Sequence, residues 1–88
     1  MKIVYFGTSE IGIPILLSLH EQHEIVSVVT SPAKAVGRKQ VLTQSPIAQI
    51  ATDLNLPILT PEKVKGNIEI IEQLKKLGAD IFVVVSYG

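Results

Sequence analysis

Residues 1–19, MKIVYFGTSEIGIPILLSL, decide the fold of this chain. The apolar run Ile3–Phe6 is too short and too rich in β-branched and aromatic residues for a helix, so it predicts a buried strand. Gly7 ends that strand. The apolar residues that follow have helical spacing and predict one buried helix face, made of Ile11, Ile15 and Leu19 with Leu16 and Leu17 alongside. A strand, a glycine turn and a helix start together form the opening of an α/β sheet.

The glycine turn resembles a dinucleotide-binding fingerprint but departs from it twice. In the G-x-G-x-x-G pattern, Ser9 occupies the place where a second glycine lets the backbone approach a pyrophosphate. The acidic residue expected about 20 positions later is missing, because nothing acidic lies between Glu24 and Asp53. We therefore reject NAD as a cofactor and interpret Gly7 and Gly12 as turn and packing residues. The helix start remains a candidate site for a polar ligand.

The composition indicates one soluble globular unit. The 88 residues are 47% hydrophobic and carry eight basic and eight acidic side chains, which excludes a disordered tail or a coiled coil. The absence of cysteine excludes disulfides, thiolate zinc sites and cysteine nucleophiles, and it favours a reducing cytoplasm. No apolar run approaches the ~18 residues of a membrane span. Doubly wound sheets normally need more strands than this chain supplies, so we expect part of a domain.

Three further strands and two further helices are predicted. The strands are Glu24–Val29, a short strand within Asn55–Leu59, and Asp80–Val85, the last expected to be buried on both faces. The helices begin at Ser45-Pro46 and at Asn67, and Gly78 ends the second of them. Residues 20–23 are expected to form a polar connection, and its two histidines are interpreted as solvated, not as metal ligands.

The segment Thr30–Ser45 is predicted to be a long loop, because it shows no hydrophobic periodicity. Loops beyond about 12–15 residues in a compact domain are usually functional or disordered. This loop carries Lys34, Arg38 and Lys39 and no acidic residue. Such cations attract phosphate, and an arginine can also stack on a base, but a simple solvated loop would have the same composition.

The alternation of strands and helices predicts an incomplete Rossmann-like α/β fold. Its parallel sheet should have the strand order 3-2-1-4, with helices on both faces. Ligands in such sheets bind beyond the carboxyl ends of the strands where the order reverses, here between residues 7–9 and 86–88. The apolar strand at 81–85 should then lie at an edge of the sheet. We expect the chain to self-associate through that strand.

Several segments resemble methionyl-tRNA formyltransferases, and they extend over the whole chain. They are Gly7–Glu10, Thr30–Pro32, Gly37–Lys39, Leu42–Pro46, Leu56–Ile58, Pro61–Lys63 and Val83–Gly88. The specific part is the loop signature, G-R followed by L-T-x-S-P. On this resemblance, residues 1–88 are the N-terminal portion of a formyltransferase Rossmann-like domain, with no second domain in the chain.

The resemblance implies a role in translation initiation in the cytoplasm. The reaction would be transfer of a formyl group from 10-formyltetrahydrofolate, as co-substrate, to the amino group of methionyl initiator tRNA, without metal, NAD or membrane. The family's catalytic asparagine, histidine and aspartate would lie beyond these residues. No catalytic residue is therefore assigned here, His20 and His23 do not correspond to the catalytic histidine, and these residues alone are expected to be inactive.

The resemblance also implies roles for three groups of residues. Those expected to bind tRNA are Arg38, Lys39 and Lys34. Those expected to line the acceptor-substrate pocket are Gly7, Thr8 and Ser9. Those expected to lie near folate are Ser86, Tyr87 and Gly88. Two alternatives stay open: another folate-dependent formyltransferase that acts on a sugar nucleotide or related amine, and a non-catalytic α/β fragment that only binds a ligand or partner.

Overall fold

The computed structural model describes residues 1–61 and 68–87, apart from the side chain of Val36. Within these ranges the chain forms a four-stranded sheet, a two-stranded sheet and three α-helices. The strands are β1 (Lys2–Gly7), β2 (Glu24–Val29), β3 (Lys34–Val36), β4 (Val41–Thr43), β5 (Ile58–Leu59) and β6 (Ile81–Val85). The helices are α1 (Ile13–Gln22), α2 (Pro46–Asp53) and α3 (Ile68–Lys76), and a 3₁₀ turn at Glu10–Gly12 precedes α1.

The four-stranded sheet has the spatial order β5-β2-β1-β6, and its neighbouring strands run parallel. Counted along the chain, these are the third, second, first and fourth strands of that sheet, so the predicted order is confirmed. The chain builds outward from β1 to β5 and then returns to place β6 on the other side of β1. The reversal of strand order therefore lies between β1 and β6, where Gly7 pairs with Val85.

Helices cover both faces of this sheet, as predicted. The cluster on the α1 and α2 face contains Ile3, Tyr5, Leu16, Ile25, Val28, Ile47 and Ala51. The cluster on the α3 face contains Val4, Phe6, Val29 and Leu74. Consecutive residues of β1 thus alternate between the two clusters, which is the two-residue period of a strand. Because both of its faces are buried, β1 is the centre of the core.

The start and the buried face of the first helix differ from the prediction. The 3₁₀ turn occupies Glu10–Gly12, and Ile11 and Ile15 are 71% and 41% exposed. The buried residue of α1 is Leu16. A 3₁₀ turn has three residues per turn instead of about 3.6, so it shifts the phase of the side chains that follow. The predicted stripe through Ile11 and Ile15 was therefore wrong.

The first helix is also longer than expected. It continues through residues 20–22, which were predicted to belong to a polar connection, and ends where the His23 backbone N–H donates to the Leu19 carbonyl at 2.8 Å. Within residues 1–61 and 68–87, no helix is long and apolar enough to cross a membrane.

Two helix ends follow the sequence signals closely. The Ser45 hydroxyl accepts a hydrogen bond from the Ala48 backbone N–H at 3.1 Å, and Pro46 is the first residue of α2. Gly78 has a φ of 71°, the left-handed conformation typical of a helix stop. The predicted cap at Asn67 lies outside the described residues.

The segment Thr30–Ser45 is more ordered than a loop, which corrects the sequence interpretation. Its strands β3 and β4 pair antiparallel, with Lys34 opposite Thr43. We call residues 34–43 the hairpin arm. The sequence did not indicate these strands because each has only three residues and the described side chains of β4 are exposed, so no buried face leaves a period of two.

The two edge strands of the larger sheet are unlike each other. Strand β5 is short and lies at one edge, as the preceding Pro57 suggested. Strand β6 was predicted to be buried on both faces, but Ile81, Phe82 and Val84 are 45%, 47% and 66% exposed. Within the described residues β6 pairs only with β1, so its other side has no covering strand. The strand was predicted correctly and its burial was not.

A bulge in β2 directs an extra side chain toward α3. The register with β1 shifts between Ile3 and Val4, so that Ser27, not Val26, pairs with Val4. Bulges re-aim side chains in this way. Ser27 is buried, and its hydroxyl has no hydrogen-bond partner among residues 1–61 and 68–87. Together with Val26 it lines a cavity of about 340 Å³ between the sheet and α3.

Candidate functional site

The carboxyl ends of β1 and β6 lie side by side at the point where the strand order reverses. Gly7 and Val85 are partners in the parallel register, so the turn after β1 and the segment after β6 leave the sheet together. In parallel α/β sheets this is the position of the ligand crevice. The two segments thus begin at the same point of the sheet, and a ligand site between them stays a prediction. Gly88 lies outside the described residues.

The turn after β1 is built around a buried tyrosine. The Tyr5 hydroxyl donates a hydrogen bond to the Gly12 carbonyl at 3.0 Å, and burial raises the pKa of Tyr5 above its ordinary value of 10.0. A Cβ atom on Gly12 would collide with that hydroxyl. A Cβ atom on Gly7 would lie 2.6 Å from Tyr5 Cε1 and 2.9 Å from the Val85 carbonyl oxygen. Both glycines are therefore packing residues, as predicted, and we call Tyr5, Gly7 and Gly12 the glycine corner.

Thr8 and Ser9 point their hydroxyls in different directions. Ser9 caps the 3₁₀ turn, because its hydroxyl accepts from the Ile11 backbone N–H at 3.2 Å. Thr8 reaches toward β2, where its hydroxyl lies 3.0 Å from the Ser31 hydroxyl and 3.4 Å from the Ser31 backbone nitrogen. The three residues predicted to form one pocket wall therefore have different structural roles. Gly7 packs against Tyr5, Ser9 caps the 3₁₀ turn, and Thr8 links the ends of β1 and β2.

A cavity of about 260 Å³ lies at the base of the hairpin arm. It is lined by Thr8, Ser31, Pro32, Lys34, Thr43, Gln44, Ser45 and Pro46. It therefore joins the turn after β1 to both ends of the arm. The part of its lining that the structure describes holds one cation, Lys34, and no acidic residue, which makes it compatible with a polar or anionic ligand group.

The arm carries its other two cations at its tip. The Gly37 carbonyl accepts from the Gln40 backbone N–H at 3.2 Å and from the Gln40 side-chain amide at 3.0 Å, which closes a four-residue turn. Arg38 and Lys39 are the two central residues of that turn, and both are exposed. Three-residue strands separate the tip from Lys34 by roughly 10 Å. The structure thus places Lys34 beside Thr8 but does not bring the three predicted tRNA-binding cations together.

The two described residues after β6 behave differently from each other. Ser86 is exposed and has a φ of 48°, a conformation that turns the chain sharply after the strand. The Tyr87 ring packs edge-on against Phe6, with ring centroids 5.7 Å apart. Desolvation raises the pKa of Tyr87. The phenol of Tyr87 is thus part of the α3-side cluster.

Sequence reasoning missed the hydroxyl residues that follow β2. Thr30 is fully buried, and its hydroxyl lies 2.7 Å from that of Ser45. Ser31 is nearly buried beside Thr8. The position of these residues in the sequence could have revealed their contact, because hydroxyl residues directly after two neighbouring buried strands must meet at the same edge of a parallel sheet. In the described ranges no group of three His, Cys, Asp or Glu residues is arranged to hold a metal ion.

Comparison with known proteins gives a consistent result over the whole chain. A family model described as formyl transferase matches residues 1–88. The chain is 46% identical over 90 residues to a methionyl-tRNA formyltransferase of Trichormus variabilis, with all of this chain and 27% of the relative covered. It is 43% identical over 89 residues to that of Sulfurihydrogenibium sp., covering all of this chain and 29% of the relative. It is 41% identical over 87 residues to that of Listeria monocytogenes, covering 99% of this chain and 28% of the relative. The chain thus spans little more than a quarter of the length of these curated relatives.

Proposed function

The chain belongs to the formyl transferase family, and from that premise we propose that it is the N-terminal part of a methionyl-tRNA formyltransferase. The complete enzyme would transfer a formyl group from 10-formyltetrahydrofolate to the amino group of methionyl initiator tRNA. The observation that carries this proposal is the match to curated methionyl-tRNA formyltransferases at 41–46% identity along essentially the whole chain. We place the reaction in the cytoplasm, where initiator tRNA is charged and used.

The geometry supports two substrate-binding sides around the crevice between β1 and β6, one for the acceptor and one for the folate. The two strand ends are adjacent, so substrate groups bound there would meet the turn at residues 7–9 on one side and the segment after β6 on the other. We assign the acceptor-substrate side to Thr8 and its neighbours and the folate side to the backbone of Ser86–Gly88, of which Gly88 lies outside the described residues. These residues would bind and orient the two substrates. The groups that move the proton would come from elsewhere in the enzyme.

We assign tRNA contact to the hairpin arm. Arg38 and Lys39 stand exposed at its tip, where a guanidinium can stack on an unpaired base or bind its edge and an ammonium can meet a phosphate. Lys34 lines the cavity beside Thr8, closer to the crevice. The arm would therefore engage the acceptor end at two points, its tip and its base.

A chimeric enzyme tests this function. Residues 1–88 replace the matched segment of the Trichormus variabilis relative, and formylation of methionyl-tRNA by 10-formyltetrahydrofolate is measured. We expect transfer by the folded chimera, because the chain should supply one wall of the crevice and the arm. This chain alone, and the relative without its matched segment, should both be inactive. A folded chimera that formylates an amino sugar nucleotide but not methionyl-tRNA would favour the sugar-substrate alternative. A folded chimera that transfers to neither would contradict the proposal.

We also propose that this chain, taken alone, self-associates through β6. Strand β6 presents a free backbone edge among the described strands, and Ile81, Phe82 and Val84 are substantially exposed on it. Exposed apolar edges of this kind template pairing with another strand. Val84→Lys should therefore shift the chain toward monomer in sedimentation velocity, while Leu42→Lys, at an equally exposed apolar position of the arm, should not. An unmodified chain that sediments as a monomer at high concentration would contradict this.

A further inference from the structure

We propose that two hydrogen bonds between hydroxyl groups, Thr8 to Ser31 and Thr30 to Ser45, hold the base of the hairpin arm and so aim its tip at the acceptor end of the tRNA. Thr30 is the positioning residue on which this rests most directly. The inference deepens the proposed function and depends on it for the identity of the substrate. The placement of the arm itself does not depend on the substrate.

The first hydrogen bond holds the entry to the arm. Ser31 is the second residue after β2, and its hydroxyl lies 3.0 Å from that of Thr8 at the end of β1. The Ser31 backbone N–H also donates to Thr8 Oγ1, at 3.4 Å. The entry is therefore fixed to the neighbouring strand by a side chain and by backbone.

The second hydrogen bond holds the exit from the arm. Thr30 is fully buried, and its hydroxyl lies 2.7 Å from that of Ser45, just before α2. Ser45 Oγ also accepts from the Ala48 backbone N–H at 3.1 Å, so one hydroxyl links the exit to β2 and to the first turn of α2. Thr30 is fully buried and Ser45 is half-buried, so water reaches this contact from the Ser45 side only.

The two hydrogen bonds act as one clamp because Thr30 and Ser31 are adjacent. The entry and the exit of the arm are both fastened at the carboxyl end of β2, and beyond that point the described side chains of the arm are exposed. The direction of the arm is then set at its base. A rotation there of about 10° would move a tip roughly 10 Å away by about 2 Å. Misplacement of a reacting or positioning group by about 1 Å can cost on the order of a hundredfold in rate.

The discriminating variant is Thr30→Val. Valine keeps the volume and the β-branch that suit the end of a strand but cannot bond to Ser45, whose capping bond to Ala48 remains. The matched control is Thr52→Val. It removes a hydrogen bond of similar length, which the Thr52 hydroxyl donates to the Ala48 carbonyl at 2.9 Å. Thr52 lies in α2, the helix that Ser45 caps, and does not contact the arm through this bond. Ser31→Ala is the second variant, because it loosens the entry and leaves the exit intact.

The first measurement is made on the chimeric enzyme without substrate. Trypsin should cleave after Arg38 and Lys39 about five- to tenfold faster in Thr30→Val than in the parent, since the loss of one part-buried hydrogen bond changes a local opening equilibrium by that order. Thr52→Val should leave the cleavage rate unchanged. This readout does not require that tRNA be the substrate.

The second measurement is steady-state kinetics. Thr30→Val should raise KM for methionyl-tRNA about five- to tenfold, while KM for 10-formyltetrahydrofolate changes less than about twofold. The clamp proposal would be overturned if Thr30→Val changed neither the cleavage rate nor KM for methionyl-tRNA. It would also be overturned if Thr30→Val lowered stability and impaired every kinetic parameter to the same extent. If cleavage accelerates but the parent chimera does not formylate tRNA, the proposed function fails and the clamp stands.

Discussion

The glycine corner and the hairpin arm lie at the same end of the sheet and are specified in opposite ways. In the corner, Tyr5 leaves no space for a side chain on either glycine, so each identity is dictated by atoms already in contact. In the arm, a Cβ atom on Gly37 would meet no described atom within 4 Å, and the cations at the tip are exposed. Side-chain changes in the corner should therefore lower stability, whereas changes to the cations at the tip of the arm should alter the use of the substrate.

The largest expected effect is that of Gly12→Ala. The added methyl would collide with the Tyr5 hydroxyl, and we expect a loss of about 3 kcal/mol in the free energy of unfolding, the upper end for overpacking. Urea unfolding followed by circular dichroism measures this. The cause can be isolated with Tyr5→Phe, which removes the hydroxyl and leaves only ordinary contacts of 3.4 Å or more around the new methyl. The loss of unfolding free energy in the double variant should then be clearly smaller than the sum of the losses in the two single variants.

Gly37→Ala is the matched control for that variant. Gly37 has a φ of 78° and open space around it, so alanine there incurs only the left-handed backbone cost of about 1–2 kcal/mol. Equal losses at Gly12 and Gly37 would mean that space does not distinguish the two regions. A double variant at positions 5 and 12 with strictly additive losses would show that the hydroxyl is not the obstacle.

The next effect in size is expected from Arg38→Ala. In the chimera it should lower kcat/KM for methionyl-tRNA by a factor equivalent to roughly 1–3 kcal/mol, the range for a specific arginine contact with a base, and leave the midpoint of urea unfolding unchanged. Lys75→Ala removes the same charge from the exposed side of α3 and is the control. If kcat/KM for methionyl-tRNA falls by the same small factor in both variants, Arg38 contributes only to the overall positive charge of the enzyme and makes no specific contact.

A smaller effect is expected from alkaline pH, and it should arise in the corner. Burial raises the pKa of Tyr5 above 10.0, so in the unfolded chain this phenol loses its proton first. The folded state then binds more protons, and stability present below pH 10 declines as the pH rises through and beyond that value. Tyr5→Phe should flatten the fall in unfolding free energy between pH 9 and 11, as measured by urea titration at each pH. An unchanged slope would place the alkaline transition elsewhere, with Tyr87 the next candidate because its pKa is also raised.

Much of the fold was predictable because its signals are local and strong. The β-branched run of β2, the Ser45-Pro46 helix start and the Gly78 stop each depend on neighbours in sequence, and the order of the parallel strands follows from their alternation with helices. The phase of α1 was not predictable, because a 3₁₀ turn leaves no signature in the spacing of Ile11 and Ile15. The hairpin arm was missed because its strands are short and their described side chains are exposed, so no buried face produced a period of two.

The geometry around the candidate site was predictable at the level of its strand ends and not at the level of its side chains. The adjacency of Gly7 and the residues after β6 follows from the topology. The partnership of Thr8 with Ser31, and of Thr30 with Ser45, depends on where side chains meet across strands, 23 and 15 residues apart in sequence. The separation of Lys34 from Arg38 and Lys39 likewise depends on a hairpin that the sequence did not reveal.

The open side of β6 also has a consequence in time. Where this chain forms the beginning of a longer protein, its strands leave the ribosome before any strand that could cover β6. Synthesis proceeds at about 5–20 residues per second, so each further 60 residues would take roughly 3–12 s. During that interval Phe82 and Val84 remain accessible to solvent and to the same strand on neighbouring nascent chains of a polysome. Slow codons just after this segment would lengthen the interval in which β6 can pair with another chain.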